Sequence, residues 1–366
     1  MSYLDRLGAM LDAVRAQQRY RSVLPRGREA VIDFSSNDYL TMATNAQVVQ
    51  AFRNARRVGS GGARLLGGSH REHSLLEEEL ALWLGRERVL LFSSGYHAAL
   101  GALSVLGSSV EHIYSDRLNH ASLIDGSRAS GRERTVYPHA VLTPRAQRIT
   151  PSLIVTESIF SMDGDSVDLR AMVDDLGPGD VLLVDEAHAL GVVGPHGAGL
   201  AYGLNDPRVV VLGTLSKAFG AHGGFVAGPA VLIDALVNLA RTFIFDSALP
   251  PAVALAARVA LVQLRGADEA RARLHATVAH LRAGLRSLGL VTGSGATPIV
   301  PVVLGSEVTA LHVATALEAK NICAPAIRPP TVPDGSSRLR LSIRADHEPA
   351  HVDLFIESLA PCIVTS

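Results

Sequence analysis

Apolar runs too short for helices recur between helical patterns along most of this 366-residue chain, and that alternation constrains its fold more than any other feature. The runs VIDF (31–34), RVLLF (88–92), HIYS (112–115), SLIVTE (152–157), VLLVDE (181–186), RVVVLG (208–213) and GGFVAG (223–228) read as strands. Most are continuously apolar, as in a sheet covered on both faces. Intervening segments such as HREHSLLEEELALWLG carry the helical period. The pattern predicts an α/β fold: a mostly parallel central sheet with helices on both faces. Ligands of such sheets bind beyond the carboxyl ends of the strands. After about residue 245 the pattern changes to an Ala/Leu/Arg-rich helical stretch (251–289), then TPIVPVVLG, a helix from about 307 to 320, and the strand RLRLSI. This divides the chain into an N-terminal helical segment (1–30), a large domain (31–245) and a smaller C-terminal α+β domain (246–366).

Of the 34 basic residues only Lys217 and Lys320 are lysines. Arginine stays protonated, whereas a lysine amine can lose its proton and attack a carbonyl. Lys320 ends the helical segment EVTALHVATALEAK, where a cation meets the negative end of the helix dipole, so it reads as structural. Lys217 lies in GTLSKAFGAHGG, directly after the run RVVVLG. With the Thr214 and Ser216 hydroxyls beside it, this loop suits a Schiff base and a phosphate.

Three further segments follow strand runs. In LLVDEAHALG, Asp185 ends a strand and His188 stands three residues on. A carboxylate there can keep a cofactor's ring nitrogen protonated, and His188 can bond a phenolic oxygen. The DEAH string also occurs in nucleotide-driven motors, but those need a P-loop, which this chain lacks. In LLFSSGYHAALGAL a helix opens near Gly95, and its first amides suit an anion. In SDRLNHASLIDG, His120 is placed to stack on a ring, although a lone histidine is more often structural. Near the C-terminus, AIRPPTVPDGSSRLRLSI carries Arg328 and Arg340, either of which could clamp a carboxylate or simply form a surface ion pair. An aldehyde, a protonated ring nitrogen and a phosphate together describe pyridoxal 5′-phosphate (PLP).

Other classes recede. A net charge of −1 argues against general nucleic-acid binding, and no apolar stretch approaches the roughly 20 residues of a membrane span. Cys323 and Cys362 lack metal-ligand spacing, so no metal site is expected, and so few cysteines suit a reducing cytoplasm. The N-terminal MSYLDRLGAMLDAVRAQQRYR reads as an amphipathic helix rather than a secretory signal.

Taken in order, FSSNDYL, GSGGARLLGGSHREHSLLEEELA, LFSSGYHAAL, DRLNHASLIDG, VTESIFSMDGD, LLVDEAHALGVVG, GTLSKAFGAHGG and RPPTVPDGSSRLRLS resemble the α-oxoamine synthases, PLP-dependent transferases of fold type I. The resemblance implies that Lys217 carries the cofactor, Asp185 pairs with its ring nitrogen, His188 with its phenolic oxygen, and His120 stacks over the ring. It implies cofactor contacts from Gly95, Tyr96, Ser161, Thr214 and Ser216. It gives Arg21, Asn37, His120, Arg328, Thr331 and Arg340 to the substrate side, with Arg340 as the amino-acid carboxylate clamp. It also implies a homodimer in which Ser247 reaches the neighbour's phosphate. The last segment and FIFDSALPP are most like the subgroup that condenses L-alanine with a pimeloyl thioester, on coenzyme A or an acyl carrier protein, in biotin biosynthesis. Glycine acetyltransferase or 5-aminolevulinate synthase chemistry, or a catalytically silent partner subunit, are the alternatives. Thr41, Ala63 and Ala189 depart from the family pattern, at positions usually glycine, serine and glycine.

Overall fold

The computed structural model describes residues 1–23, 31–293, 295 and 297–364. Residues 24–30 of the expected N-terminal helical segment lie outside them. The chain forms two compact units. One comprises Asn37–Ser161 and Asp165–Arg273; the other comprises Met1–Ser36, Met162–Gly164 and Leu274–Ser366.

The first unit holds a seven-stranded sheet. Its strands are β1 (Arg88–Phe92), β2 (His112–Asp116), β3 (Arg134–Tyr137), β4 (Ser152–Glu157), β5 (Val181–Asp185), β6 (Val209–Thr214) and β7 (Gly224–Gly228), in the spatial order β1-β7-β6-β5-β4-β2-β3. The β3–β2–β4–β5–β6 ladder is parallel throughout. Strand β7 runs antiparallel to both β6 and β1, so six of the seven strands point the same way. Successive strand residues face opposite sides. Along β4 to β6, Leu153, Val155, Leu183, Val210 and Leu212 join the core that includes Leu103, Leu106 and Leu123, yet Ile154, Leu182, Val184, Val209 and Val211 between them are equally buried. Both faces are therefore covered, which is why the runs read as continuously apolar.

Two sequence expectations shift. The edge strand β3 was not among the expected runs; three of its four residues, in RTVY, are exposed, so burial left no apolar signature. The helical stretch 251–289 is two helices, Pro251–Arg265 and Asp268–Ser287, parted at Gly266 and Ala267. The first of these packs on helices Ala46–Arg53 and Arg71–Leu84, so the large unit extends to Arg273 rather than ending at 245.

The second unit contains a three-stranded antiparallel sheet of Ile299–Gly305, Ser337–Ser342 and Ala326–Ile327, with Ser337–Ser342 in the middle. Ile32–Asp33 pairs in parallel with Ile322–Cys323. The described residues up to Ser36 thus belong to this unit rather than to a segment of their own. Its helix Tyr3–Ala16 begins with a capping box between Ser2 and Asp5 and leaves Tyr3, Leu4, Leu7, Met10, Leu11 and Val14 exposed. At 100° per residue these six fall on one stripe. Among the described residues no helix is long and apolar enough to cross a membrane.

A histidine secures the loop that follows β4. His139 Nδ1 meets the fully buried Asp116 at 3.0 Å and its Nε2 meets Asp165 at 2.6 Å. Burial by itself would lower the imidazole's pKa, but the bonds to Asp165 and Asp116 outweigh it and raise it. A folded-state value above the unfolded one stabilises at low pH, and that stability fades as pH rises through the folded value. His139→Asn should therefore cost on the order of 1–2 kcal/mol at pH 6 and clearly less at pH 9. Urea unfolding at both pH values checks this; an equal cost at both would rule out the charged bridge.

Candidate active site

Because six strands run the same way, the segments after β2, β4, β5 and β6 emerge on one edge of the sheet, as does the start of the helix after β1. There they enclose a pocket of about 240 Å³ lined by Ser94, Gly95, His120, Asp185, His188 and Lys217, among others. Asp185 pairs across the sheet with Glu157 on one side and Leu212 on the other.

Lys217 sits at the end of a hydrogen-bonded chain. Its Nζ lies 2.8 Å from His188 Nε2, and His188 Nδ1 lies 2.7 Å from the Tyr39 hydroxyl. Tyr39 in turn donates to Asn37 Oδ1 at 3.2 Å. A phenol has one hydrogen. With that hydrogen given to Asn37, Tyr39 accepts from His188 Nδ1–H, and the Nε2 lone pair accepts from the lysine amine. Tyr39 is fully buried and His188 nearly so, which fixes the imidazole's orientation.

Asp185 is buried, and its Oδ1 accepts the Ala187 amide at 2.8 Å. Burial raises its pKa, while Lys217 and the Ala187 amide restrain the rise. The next residue plays a different part. Glu186 is fully buried and takes the amides of Leu200 and Ala201 at 2.8 and 3.1 Å. Burial pushes its pKa up to about 7. It anchors the 198–201 loop, and within DEAH it is the one residue that does not line the pocket, where Asp185, Ala187 and His188 do.

Hydroxyls and backbone form another part of the pocket's lining. Ser94 caps the helix Gly95–Ser108 by accepting the His97 amide at 3.1 Å. A helix start of this kind offers its first amides and the positive end of the dipole to an anion. Thr214 Oγ1 lies 2.7 Å from Ser216 Oγ and donates to Gly223 O at 3.0 Å. A Cβ on Gly224 would stand 2.4 Å from the Gly95 nitrogen, so only glycine lets β7 run under this helix start. His120 lies at the mouth and caps the helix Ala121–Ala129. Its Nδ1 accepts the Ser122 amide at 3.2 Å, which leaves Nε2 as the donor of the neutral ring.

The donor set matches PLP: an amine for the aldehyde, a buried carboxylate for the ring nitrogen, and a helix start with hydroxyls for the phosphate. Among the described residues no group of His, Cys, Asp or Glu is placed to hold a metal ion.

Of the residues expected from the sequence, Gly95, Tyr96, His120, Asp185, His188, Thr214, Ser216 and Lys217 all line this pocket. Asn37 joins through Tyr39, and the Ser161 backbone through Glu157. Ser247 does not line it; it is exposed and borders a smaller pocket with Arg64, Ser93 and Asp246. Arg21, Arg328, Thr331 and Arg340 belong to the other unit. There Arg21 donates to Pro329 O at 3.3 Å, Arg340 donates to Ser342 Oγ at 2.7 Å, and Thr331 is exposed. Burial first, and then the neighbouring Arg21, hold the pKa of Arg328 below its ordinary value. Thr41 occupies a left-handed conformation, with φ +57°, which accounts for the glycine usual at that position. Sequence reasoning missed Tyr39, Ser94, Ser122 and Glu157. Each lay inside or beside a segment already singled out, and the strand-end position of Glu157 matches that of Asp185.

The aminotransferase class I and II family model matches residues 29–359. The 8-amino-7-oxononanoate synthase of Anaeromyxobacter sp. (strain K) is 44% identical, over 98% of this chain and 95% of its own. The enzyme of the same name from Cellvibrio japonicus is 41% identical, over 98% of this chain and 96% of its own. Among solved structures, the serine palmitoyltransferase of Sphingomonas wittichii superposes with a TM-score of 0.90 at 28% identity, covering 100% of this chain and 98% of its own. The 8-amino-7-oxononanoate synthase of Francisella tularensis superposes with a TM-score of 0.81 at 27% identity, covering 92% and 99%. A fold, a lysine-centred pocket and a near-full-length sequence match converge, and the chain belongs to the aminotransferase class I and II family.

Proposed function

We propose that this chain is a PLP-dependent acyltransferase that condenses L-alanine with a pimeloyl thioester, on coenzyme A or a carrier protein. The products are 8-amino-7-oxononanoate, carbon dioxide and the free thiol, a step of biotin biosynthesis. The observation that carries this reading is the Lys217–His188–Tyr39 chain beside buried Asp185, in a protein 44% identical to an 8-amino-7-oxononanoate synthase.

PLP, when bound, supplies a ring that withdraws electrons from the α-carbon of the amino acid. Lys217 would be the residue that holds the cofactor through its amine, and that amine would be free once alanine is bound. The freed amine then takes alanine's α-proton. Asp185 holds the proton on the ring nitrogen, and its burial favours such a pairing over solvation. His188 would meet the phenolic oxygen through Nε2 once that atom carries the proton, with Tyr39 then donating its hydroxyl hydrogen to Nδ1 instead of to Asn37. Ser94, Gly95, Tyr96, Thr214 and Ser216 hold the phosphate. Alanine's α-carbon bonds to the thioester carbonyl carbon as the carbon–sulfur bond breaks and the thiol departs. The bond to the carboxylate carbon then breaks to release carbon dioxide, and a proton returns to the α-carbon. His120 Nε2–H serves the acyl oxygen as charge develops there. Arg340 takes the amino-acid carboxylate; Arg21, Asn37, Arg328 and Thr331 serve the substrates.

A product assay offering alanine or glycine with pimeloyl-coenzyme A, pimeloyl-carrier protein, acetyl-coenzyme A or succinyl-coenzyme A tests the reading. Alanine with a pimeloyl donor should give 8-amino-7-oxononanoate, and Lys217→Ala should give neither product nor the cofactor's visible band. Turnover only with glycine and a short donor would refute the substrate assignment. Asp185→Asn should still bind PLP but slow exchange of alanine's α-proton by at least about 100-fold. Unchanged exchange would remove Asp185 from its role.

The exposed apolar stripe of helix Tyr3–Ala16 supports a homodimer with Ser247 serving the partner's phosphate. Sedimentation should find a dimer at micromolar concentration. Replacing Leu7 and Leu11 together by glutamine should weaken it at least about tenfold, since each buried leucine contributes roughly 2 kcal/mol. A monomeric wild type would dispose of the proposal.

A further inference from the structure

Glu157 ends β4 beside Asp185 and lines the same pocket, yet the reaction as described makes no use of it. Residues paired in register on neighbouring strands project to the same face. Both side chains are buried, Glu157 with 2% of its surface exposed. Glu157 Oε1 accepts the His120 amide at 2.6 Å, and the Ser161 amide also bonds the carboxyl group. One side chain therefore ties the segment after β2 to the segment after β4.

We propose that Glu157 is a positioning residue, which as a neutral carboxylic acid fixes the main chain at His120 and Ser161 and leaves Asp185 the pocket's single anion. The proposal rests on the PLP reading of the pocket. The titratable groups that line the pocket with Glu157 are Asp185 from β5, Lys217 from the loop after β6, His188 from the loop after β5, His120 from the segment after β2 and Tyr96 from the helix after β1. Among the described lining residues Lys217 is the one lysine or arginine. One cation does not balance two buried anions, so the pair ionises stepwise. Burial and then the charge of Asp185 hold Glu157 well above the usual carboxylate range. Lys217 and backbone amides favour ionisation of both carboxyl groups; at Glu157 burial and the Asp185 charge outweigh them, whereas at Asp185 Lys217 is the largest influence after burial. The proton accordingly resides on Glu157, and the charge on the residue that serves the ring nitrogen.

Glu157→Gln and Glu157→Leu separate charge from anchoring. In PLP-loaded protein, Glu157→Gln should leave the pH midpoint of the visible band within about 0.3 unit, whereas removal of a charge so close would move it by one unit or more. A shift of that size overturns the neutral assignment. In Glu157→Leu the two amides lose their acceptor. Hydrogen–deuterium exchange of the peptide covering residues 116–123 should then quicken at least about tenfold, with PLP binding weakened by a similar factor. Exchange and binding like wild type overturn the anchoring. Should the leucine variant fail a circular-dichroism check of folding, Glu157→Ala is read by the same exchange measurement. Wild-type protein showing no visible band with PLP would refute the cofactor reading instead, and exchange in the PLP-free protein would still decide the anchoring.

Discussion

The site depends on strand direction. A parallel ladder needs a crossover after each strand, and every crossover leaves the sheet from the same edge. Strands β2, β4, β5 and β6 deliver His120, Glu157, Asp185 and Lys217 to one place from positions about 100 residues apart in sequence. The reversed strand β7 completes the arrangement. Its Gly224 pairs with Phe92 on one side and Thr214 on the other, which brings the start of helix Gly95–Ser108 beside the Lys217 loop. Reversing any one of these four strands would carry its residue to the far edge of the sheet.

Electrostatics decides what that edge can do. Three acidic residues, Glu157, Asp185 and Glu186, lie at two adjacent strand ends and all are buried. Unpaired, such charges would be prohibitive. Each is met by backbone amides: His120 for Glu157, Ala187 for Asp185, Leu200 and Ala201 for Glu186. Amides lower the cost of a carboxylate without cancelling its charge, so a carboxylate in this pocket stays available to a cationic ring. A close arginine would have neutralised it. The nearest cation is instead a lysine, held by a neutral imidazole.

Much of this was legible in the sequence because it depends on local pattern. Continuous apolar runs marked every covered strand of the large sheet, and the ends of several runs, with the segments after them, line the pocket. What escaped did so for physical reasons. Strand β3 is exposed at an edge and shows no apolar bias. The break at Gly266 and Ala267 is two residues in a long helical composition. The extension of the large unit to Arg273 follows from packing of Pro251–Arg265 on helices Ala46–Arg53 and Arg71–Leu84, far earlier in the chain, which no window of sequence contains. Tyr39 and Glu157 were visible as residue types, but their roles come from partners distant in the chain: Tyr39 meets His188 and Glu157 meets His120.

The two lysines end in opposite settings. Lys320 follows the helix Glu307–Glu318 and is exposed, while Lys217 is recessed against His188. The folded chain therefore presents amine-directed reagents with one open side-chain target and one guarded one. A lysine-specific protease would find a single accessible side chain at which to nick the native protein. An acylating dye or surface linker aimed at lysine would meet Lys320, in the unit that does not hold the Lys217 pocket.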